Sequence, residues 1–250
     1  MDALSVKYLA WGSAAAAATA LVLLAVAPVG WRLGIWHFRT AFYGLMASSA
    51  FIAAGGALAA GLAIGFGWAT LAPAEIAGAS SSLALGVVLV CVPWQYKRTL
   101  ERLPKIHDIT TDTHDPPQFR AVLAARTAEN ASPALYEGAE IARQQRSAYP
   151  DIAPFDASLP PRDAFRCALQ AAEAMPKWTI LARDDSAGTI EATQKSFWFG
   201  FSDDIAIRVT ANGRGSRIDI RSKSRQGRSD FGINAARIRA YFAVLKSHLR

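Results

Sequence analysis

The 250 residues carry 27 Lys and Arg against 20 Asp and Glu, a net charge of +7, although 52% of them are apolar. The charges are unevenly distributed: residues 1–96 hold three cations and two anions, so 27 − 3 = 24 cations and 20 − 2 = 18 anions follow. Such a chain is a membrane half joined to a water-soluble half. This division excludes an all-soluble enzyme, a single-span receptor and a disordered protein.

Three charge-free stretches in the first half are each long enough to cross a bilayer, which takes roughly 20 apolar residues. They predict spans near residues 10–30, 41–66 and 76–95, with an interfacial turn at 67–74. A cleaved signal peptide is the alternative for the first stretch, but a retained helix is simpler because a second span follows directly. Aromatic residues near the proposed ends would anchor the spans: Trp11, Trp31, Trp36, Trp68, Trp94 and Tyr96.

Small residues recur every fourth position at Ala57, Gly61 and Gly65, a pattern that lets another helix approach closely. We expect this face to pack within the bundle, and dimerisation or a role as a structural membrane subunit is the alternative. No span carries an ionisable residue in its middle, which disfavours transporters and proton relays.

The short-loop cations predict an orientation. One side of the bilayer would hold Lys7 alone, and the other would hold six cations: Arg32, Arg39, Lys97, Arg98, Arg102 and Lys105. The positive-inside rule then places the soluble half in the cytoplasm.

The soluble half begins with a proline-rich segment. Residues 97–161 contain eight of the twelve prolines, which predicts an extended connector with short helices near 119–128 and 135–146. Residues 162–250 predict an α+β domain that begins with a helix after Pro160-Pro161 and ends with a helix at 233–249.

Four strands are predicted between these two helices, at 178–183, 189–196, 204–210 and 217–223. Their alternation places apolar residues on one face and charged residues on the other. The predicted fold class is therefore a three-span helical region plus an α-β-β-β-β-α domain, whose antiparallel sheet has two helices on one face.

Two carboxylate pairs, Asp184-Asp185 and Asp203-Asp204, invite an acid/base interpretation. Adjacent residues in extended backbone point to opposite faces, so neither pair can form a dyad in a strand. Turn formation and ion pairs with Arg208 or Arg221 explain them otherwise.

An enzyme remains the competing class, using Asp203, Asp204 and a connector histidine, His107 or His114. The run from His107 to Asp115 also offers metal-ligand types, but no glycine bends it into a compact loop. Side chains that bond the local backbone explain the run without a metal, and we predict no metal and no cofactor. Cys91 and Cys167 have no plausible disulfide partner in each other.

The densest cation cluster spans residues 214–228, with six Lys and Arg and one acidic residue. A strand that runs into a glycine loop and a helix N-terminus can hold an anion. We predict that this Arg/Ser loop (Ser222–Asn234) and the strand before it bind an anion or a protein partner. The candidate binding residues are Arg221, Ser222, Ser224, Arg225, Arg228, Ser229 and Asn234. The alternative is a structural latch, in which the cations pair with Asp108, Asp112, Asp203, Asp204 and Asp230. Nucleic acid is disfavoured because no recognised module is present.

Several motifs of the soluble half are specific in combination: His107-Asp-Ile-Thr-Thr-Asp112, Pro116-Pro117-x-Phe119, Tyr149-Pro150, Ile190-Glu-Ala192, Trp198-Phe-Gly-Phe-x-Asp-Asp204 and the run from Asp219 to Asn234. Over residues 104–249 the chain resembles the domain-of-unknown-function family DUF1499, here in a membrane-anchored form. The resemblance implies a helix-grip-like arrangement and no reaction. It also implies export, since other members resemble lipoprotein domains with paired cysteines, which this chain lacks.

The sequence therefore predicts a multi-pass protein of a bacterial inner membrane. It displays a non-enzymatic domain that binds an anionic ligand or an envelope protein. We expect the domain on the periplasmic side, against the cation count, because large domains can translocate despite flanking charge.

Overall fold

The computed structural model describes residues 1–101 and 103–249. The chain divides into two compact units, with the boundary between residues 101 and 102. Arg102, one of the cations that we counted after the third span, lies outside the described residues. We describe each unit by itself.

The first unit consists of three long helices: α1 (Ala3–Arg32), α2 (Ala47–Gly67) and α3 (Pro73–Leu100). A π-helical segment, Thr40–Met46, leads into α2. The stretches Ala3–Arg32, Thr40–Gly67 and Pro73–Gln95 are long and apolar enough to cross a membrane, and they contain the three predicted spans. The predicted turn at 67–74 corresponds to the end of α2 and the beginning of α3.

Small residues bring the three helices together. A Cβ atom on Gly56 would lie 2.9 Å from the Cβ atom of Ala16, and one on Gly86 would lie 2.6 Å from the carbonyl oxygen of Ala53. Gly61 and Gly65 have no atom of the described residues within 4 Å of the corresponding position. The prediction that these two glycines pack within the bundle was therefore wrong, because α2 turns other small residues toward its neighbours.

The second unit is built on one antiparallel sheet of six strands. They are β1 (Asp108–Thr110), β2 (Phe155–Ala157), β3 (Trp178–Asp184), β4 (Thr189–Lys195), β5 (Ser202–Asn212) and β6 (Gly215–Ser224). Its helices are α4 (Leu123–Ala128), α5 (Ala139–Ala148), α6 (Pro161–Ala174) and α7 (Ile233–His248). The strand order is β1-β6-β5-β4-β3, and β2 also pairs with β6.

The predicted fold class is confirmed. The four predicted strands correspond to β3–β6, and the two predicted helices that flank them correspond to α6 and α7. The structure adds β1 and β2, which come from the segment expected to be a connector and pair with β6. Each has only three residues, too few for an alternating pattern to be visible in the sequence.

One face of the sheet packs against α6 and α7 and forms the hydrophobic core. Ile190, Ile205, Ile207 and Ile220 of the sheet are buried there, together with residues of both helices. Tyr241 of α7 is fully buried and stacks on Trp178 with a centroid distance of 5.7 Å. These apolar residues are the ones that the strand alternation predicts.

The charged face of the sheet is buried as well. Val122 and Phe119 pack with Ala206 of β5. Gln145 of α5 pairs with the backbone of β1, accepting from the Thr110 N–H at 3.0 Å and donating to its carbonyl at 2.6 Å. Parts of the segment 108–145 thus lie over the charged face, while Ile106, Ile109 and Tyr149 belong to the hydrophobic core. The charged side chains of this face must therefore find partners inside the protein.

Candidate functional site

Arg221 is the largest fully buried side chain of the domain, and its guanidinium is held by internal contacts. Its Nε and Nη2 atoms donate to the two carboxylate oxygens of Asp108 at 2.9 and 2.7 Å. Nη2 also donates to the Ala134 carbonyl at 2.7 Å, and the guanidinium lies 4.7 Å from the ring centroid of Phe119. This fork-to-fork pair fixes β1 against β6.

Lys223 shares the carboxylate of Asp108. Its Nζ atom lies 3.0 Å from Asp108 Oδ2, 3.1 Å from Glu137 Oε1 and 3.1 Å from the Leu135 carbonyl oxygen. An ammonium group has three donors, so this fully buried lysine has none left for a ligand.

Asp204 is the centre of a second buried group. It accepts from Arg225 Nε and Nη2, at 2.7 Å for the closest contact, and from Arg126 Nη1 at 2.6 Å. Arg225 Nη1 donates to Glu129 Oε1 at 2.7 Å. Burial would lower the pKa of Arg225, but the hydrogen bond and charge of Asp204 raise it overall. Arg225 is therefore a permanent counter-ion of the buried carboxylate.

A third group lies toward the opposite end of β6. Arg217 donates to Asp219 and, at 2.7 Å, to Asp112, and Arg208 lies 3.3 Å from Asp219. The hydrogen bond to Asp219 raises the pKa of Arg217 above its usual value. For Asp112, burial acts to raise the pKa, but N–H donors of Asp115 and His114 and the charge of Arg217 lower it.

The helix side of the sheet carries a polar network at the end of the core. Ser222 Oγ donates to Asn234 Oδ1 at 2.7 Å, and Asn234 Nδ2 donates to Ser224 Oγ at 3.2 Å. Arg237 of α7 bonds Ser222 and Asn234 and forms an ion pair with Asp203. These hydroxyl and amide groups connect β6 to α7.

The N-terminus of α7 already holds an anion, the carboxylate of Asp230. It accepts from the N–H groups of Asn234 at 2.7 Å and Gly232 at 3.1 Å. Burial raises the pKa of Asp230, and those two hydrogen bonds oppose the shift only in part. Asp230 acts from two residues before the N-cap position, which is Gly232.

His107 and His114 lie in different surroundings. His107 is buried, and its Nε2 atom lies 3.3 Å from Ser132 Oγ and 3.5 Å from Glu137 Oε1. Burial and the nearby Lys223 lower the pKa of His107. His114 is exposed.

The sequence-predicted residues therefore separate into two sets. The structure brings Arg221 to Asp108, Arg225 to Asp204, and Ser222 and Ser224 to Asn234, all inside the domain. Arg228 is exposed and Ser229 is half-buried. Asp203 and Asp204 point to opposite faces of β5, so the combination with a histidine that the enzyme hypothesis needs is not assembled. Among residues 1–101 and 103–249, no group of three His, Cys, Asp or Glu side chains could hold a metal.

The sequence did not predict several residues that pair with these buried side chains. Arg126 and Glu129 belong to a short helix without a clear pattern. Glu191 is buried, and its Oε1 atom accepts from the N–H groups of Arg120 and Ala121 at 2.9 Å each, just before α4. For Arg237 the sequence did contain an indication. It follows Asn234 by three residues, a spacing that places both side chains on the same face of α7.

Comparisons with known proteins give one family match. A family model described as "Protein of unknown function (DUF1499)" matches residues 108–245. The search of curated proteins found no significant match. The crystal structure of Ara h 8.0201 is similar with 14% identity and a TM-score of 0.31, covering 38% of this chain and 94% of that one. The crystal structure of TTHA0849 from Thermus thermophilus has 9% identity and a TM-score of 0.25, covering 39% and 94%.

Proposed function

Because the chain belongs to the DUF1499 family of proteins of unknown function, we propose its role from its own geometry: it is a non-enzymatic binding module attached to a membrane. The module would be displayed by a multi-pass anchor in a bacterial inner membrane. Its binding surface would be the exposed turn of the Arg/Ser loop, around Arg228 and Ser229, and its ligand would be anionic, either a small molecule or an envelope protein.

One observation carries the proposal: the buried cations of the predicted site already form ion pairs with carboxylates inside the domain. Arg225 is 3% exposed and holds Asp204, which is fully buried. Separating a buried ion pair leaves an uncompensated charge and costs about 3–5 kcal/mol. An anionic ligand is therefore expected to meet Arg228, not Arg221 or Arg225.

The enzyme hypothesis is less well supported by the same geometry. An acid/base site needs carboxylates that face a reacting molecule. Asp203 and Asp204 instead face Arg237 and Arg225, which act as their counter-ions. This favours binding over catalysis.

The test compares two charge reversals in the full chain purified in detergent, with inorganic phosphate as the probe. We expect Arg225→Glu to lower the melting temperature strongly, since it places a second carboxylate beside Asp204. Arg228→Glu should leave the melting temperature of the free protein unchanged and abolish the stabilisation that phosphate gives the parent.

Two results would overturn parts of the proposal. A parent protein that phosphate does not stabilise removes the anion site at Arg228. A normally folded Arg225→Glu variant that has lost phosphate binding returns the site to the buried arginines.

A further inference from the structure

The loop between β4 and β5 carries two aromatic side chains that are open to solvent. Phe197 is 83% exposed and Trp198 is 50% exposed. The loop itself is ordered by its backbone: the Ser196 N–H donates to the Phe201 carbonyl at 2.8 Å, and the Phe201 N–H donates to Ser196 Oγ at 2.9 Å. Two neighbouring exposed aromatic rings on a closed loop form a candidate interaction surface.

Cations accompany these rings. Lys195 precedes the loop and is exposed, and Lys177 places its Nζ atom 5.5 Å from the ring centroid of Phe197. Aromatic rings beside lysines suit the boundary between lipid headgroups and acyl chains, where the rings enter the boundary and the ammonium groups meet phosphates.

The topology of the sheet places this loop at the end where the chain enters the domain. The carbonyl of Ser202, which follows the loop, accepts from the Arg225 N–H at 2.9 Å, and the His107 carbonyl accepts from the Ser224 N–H at 3.0 Å. Residues 106–107, the β4–β5 loop and the end of β6 therefore share one end of the sheet. Phe231 and Ile233 at this end are also exposed, by 42% and 48%.

The opposite end of the sheet is polar. The β3–β4 turn contains Asp184, whose Oδ1 atom accepts from the N–H groups of Ser186 and Ala187, followed by the exposed Asp185. The β5–β6 turn contains Asn212, which donates to Asp156 at 2.8 Å. The two ends thus differ in the way expected if only one of them meets lipid.

The segment between the last apolar stretch and the domain is short. The stretch that is apolar enough to span ends at Gln95, and Ile106 is buried in the domain, 106 − 95 = 11 residues later. Eleven extended residues reach at most about 39 Å. A domain on so short a tether would meet a high effective concentration of lipid, so weak contacts would be sufficient for docking.

We propose that the β4–β5 loop docks on the lipid bilayer, with Phe197 and Trp198 at the headgroup boundary and Lys177 and Lys195 on anionic headgroups. The docking orients the domain on the membrane. The contacts assigned to lipid are those of the β4–β5 loop and its two lysines, and Arg228 is not one of them, so the docking does not depend on the anion site at Arg228.

The experiment uses the full chain in bilayer nanodiscs of equal parts phosphatidylcholine and phosphatidylglycerol, in a Cys91→Ser, Cys167→Ala background. An environment-sensitive fluorophore is attached after Trp198→Cys, or after Asp185→Cys as the matched control at the polar end. We expect the emission at position 198 to shift to the blue and to be quenched by lipids spin-labelled near the headgroup. The emission at position 185 should show neither effect.

Adding Lys195→Glu should reduce the quenching at position 198, and pure phosphatidylcholine should reduce it in the same way. Equal quenching at positions 198 and 185 would overturn the proposal. A blue shift at position 198 without quenching by spin-labelled lipid would also overturn it, because the loop would then be covered by protein.

Discussion

The charged residues at the end of β6, and Arg225 directly after it, are buried against fixed partners that determine their chemistry. Arg221 and Lys223 are fully buried and share Asp108, and Arg225 holds Asp204. A buried charge without its partner costs several kcal/mol, so these groups stabilise the domain as pairs and are unsuited to exchange with solutes.

His107 offers a residue-scale test through pH. Its folded-state pKa is lowered by burial and by Lys223, so below the unfolded value of about 6.5 the unfolded state binds more protons than the folded state. Stability should therefore fall as the pH drops from about 6.5 toward the lowered pKa.

We expect His107→Gln to flatten this decline in thermal melts of the full chain between about pH 5 and 7. The control is His114→Gln, at an exposed position, which should retain the parent's slope. An unchanged slope in His107→Gln would show that other groups cause the decline.

At the scale of elements, the main surprise is the layer that covers the charged face. Period-two alternation correctly separated the apolar from the charged face of β4–β6, because alternation is a local property of a strand. It could not show that parts of the segment 108–145 cover the charged face, since Asp108 and Arg221 are 113 positions apart in the sequence. The prolines of that segment suggested a connector. In the structure, each of them lies outside the helices and strands or at the end of one.

The helices of the first unit allow a matched comparison of two glycines. Gly86→Leu should weaken the packing of α3 on α2, because even a Cβ atom there would lie 2.5 Å from the Ala57 Cβ and 2.6 Å from the Ala53 carbonyl oxygen. Gly61→Leu has open space and should leave the melting temperature in detergent unchanged.

A large loss of stability in Gly61→Leu would contradict the helix packing described above. Loss of a co-purifying protein in Gly61→Leu, with normal stability, would instead identify the open glycine face as a subunit contact. That outcome would favour the hypothesis of a structural membrane subunit.

At the scale of the whole molecule, the density of charged residues rises within a few residues of the boundary between the two units. The uneven charge distribution has a direct physical cause, since ionised side chains are costly in hydrocarbon. The candidate site was less predictable. The sequence located the cation cluster, but only long-range pairing reveals that Arg221, Lys223 and Arg225 are neutralised and that Arg228 is exposed.

The proposed periplasmic location of the domain is testable with reporter fusions. Fusion after the C-terminus should give an active exported enzyme and a dark cytoplasmic fluorophore. Fusion within the turn at 68–72, which the third span alone separates from the C-terminus, should give the reverse result. An active cytoplasmic reporter at the C-terminus would favour the orientation that the loop cations predict.

A double-mutant cycle on Asp204 and Arg225 tests the central claim, that the buried charges hold the domain together. The melting temperature and the free energy of unfolding are measured for the full chain, Asp204→Asn, Arg225→Met and the double variant, with Asp185→Asn as an exposed control. We expect each single variant to lose about 3–5 kcal/mol and the double variant to lose less than the sum, with a coupling of about 1–3 kcal/mol. Additive, small effects together with loss of phosphate binding in Arg225→Met would contradict the claim.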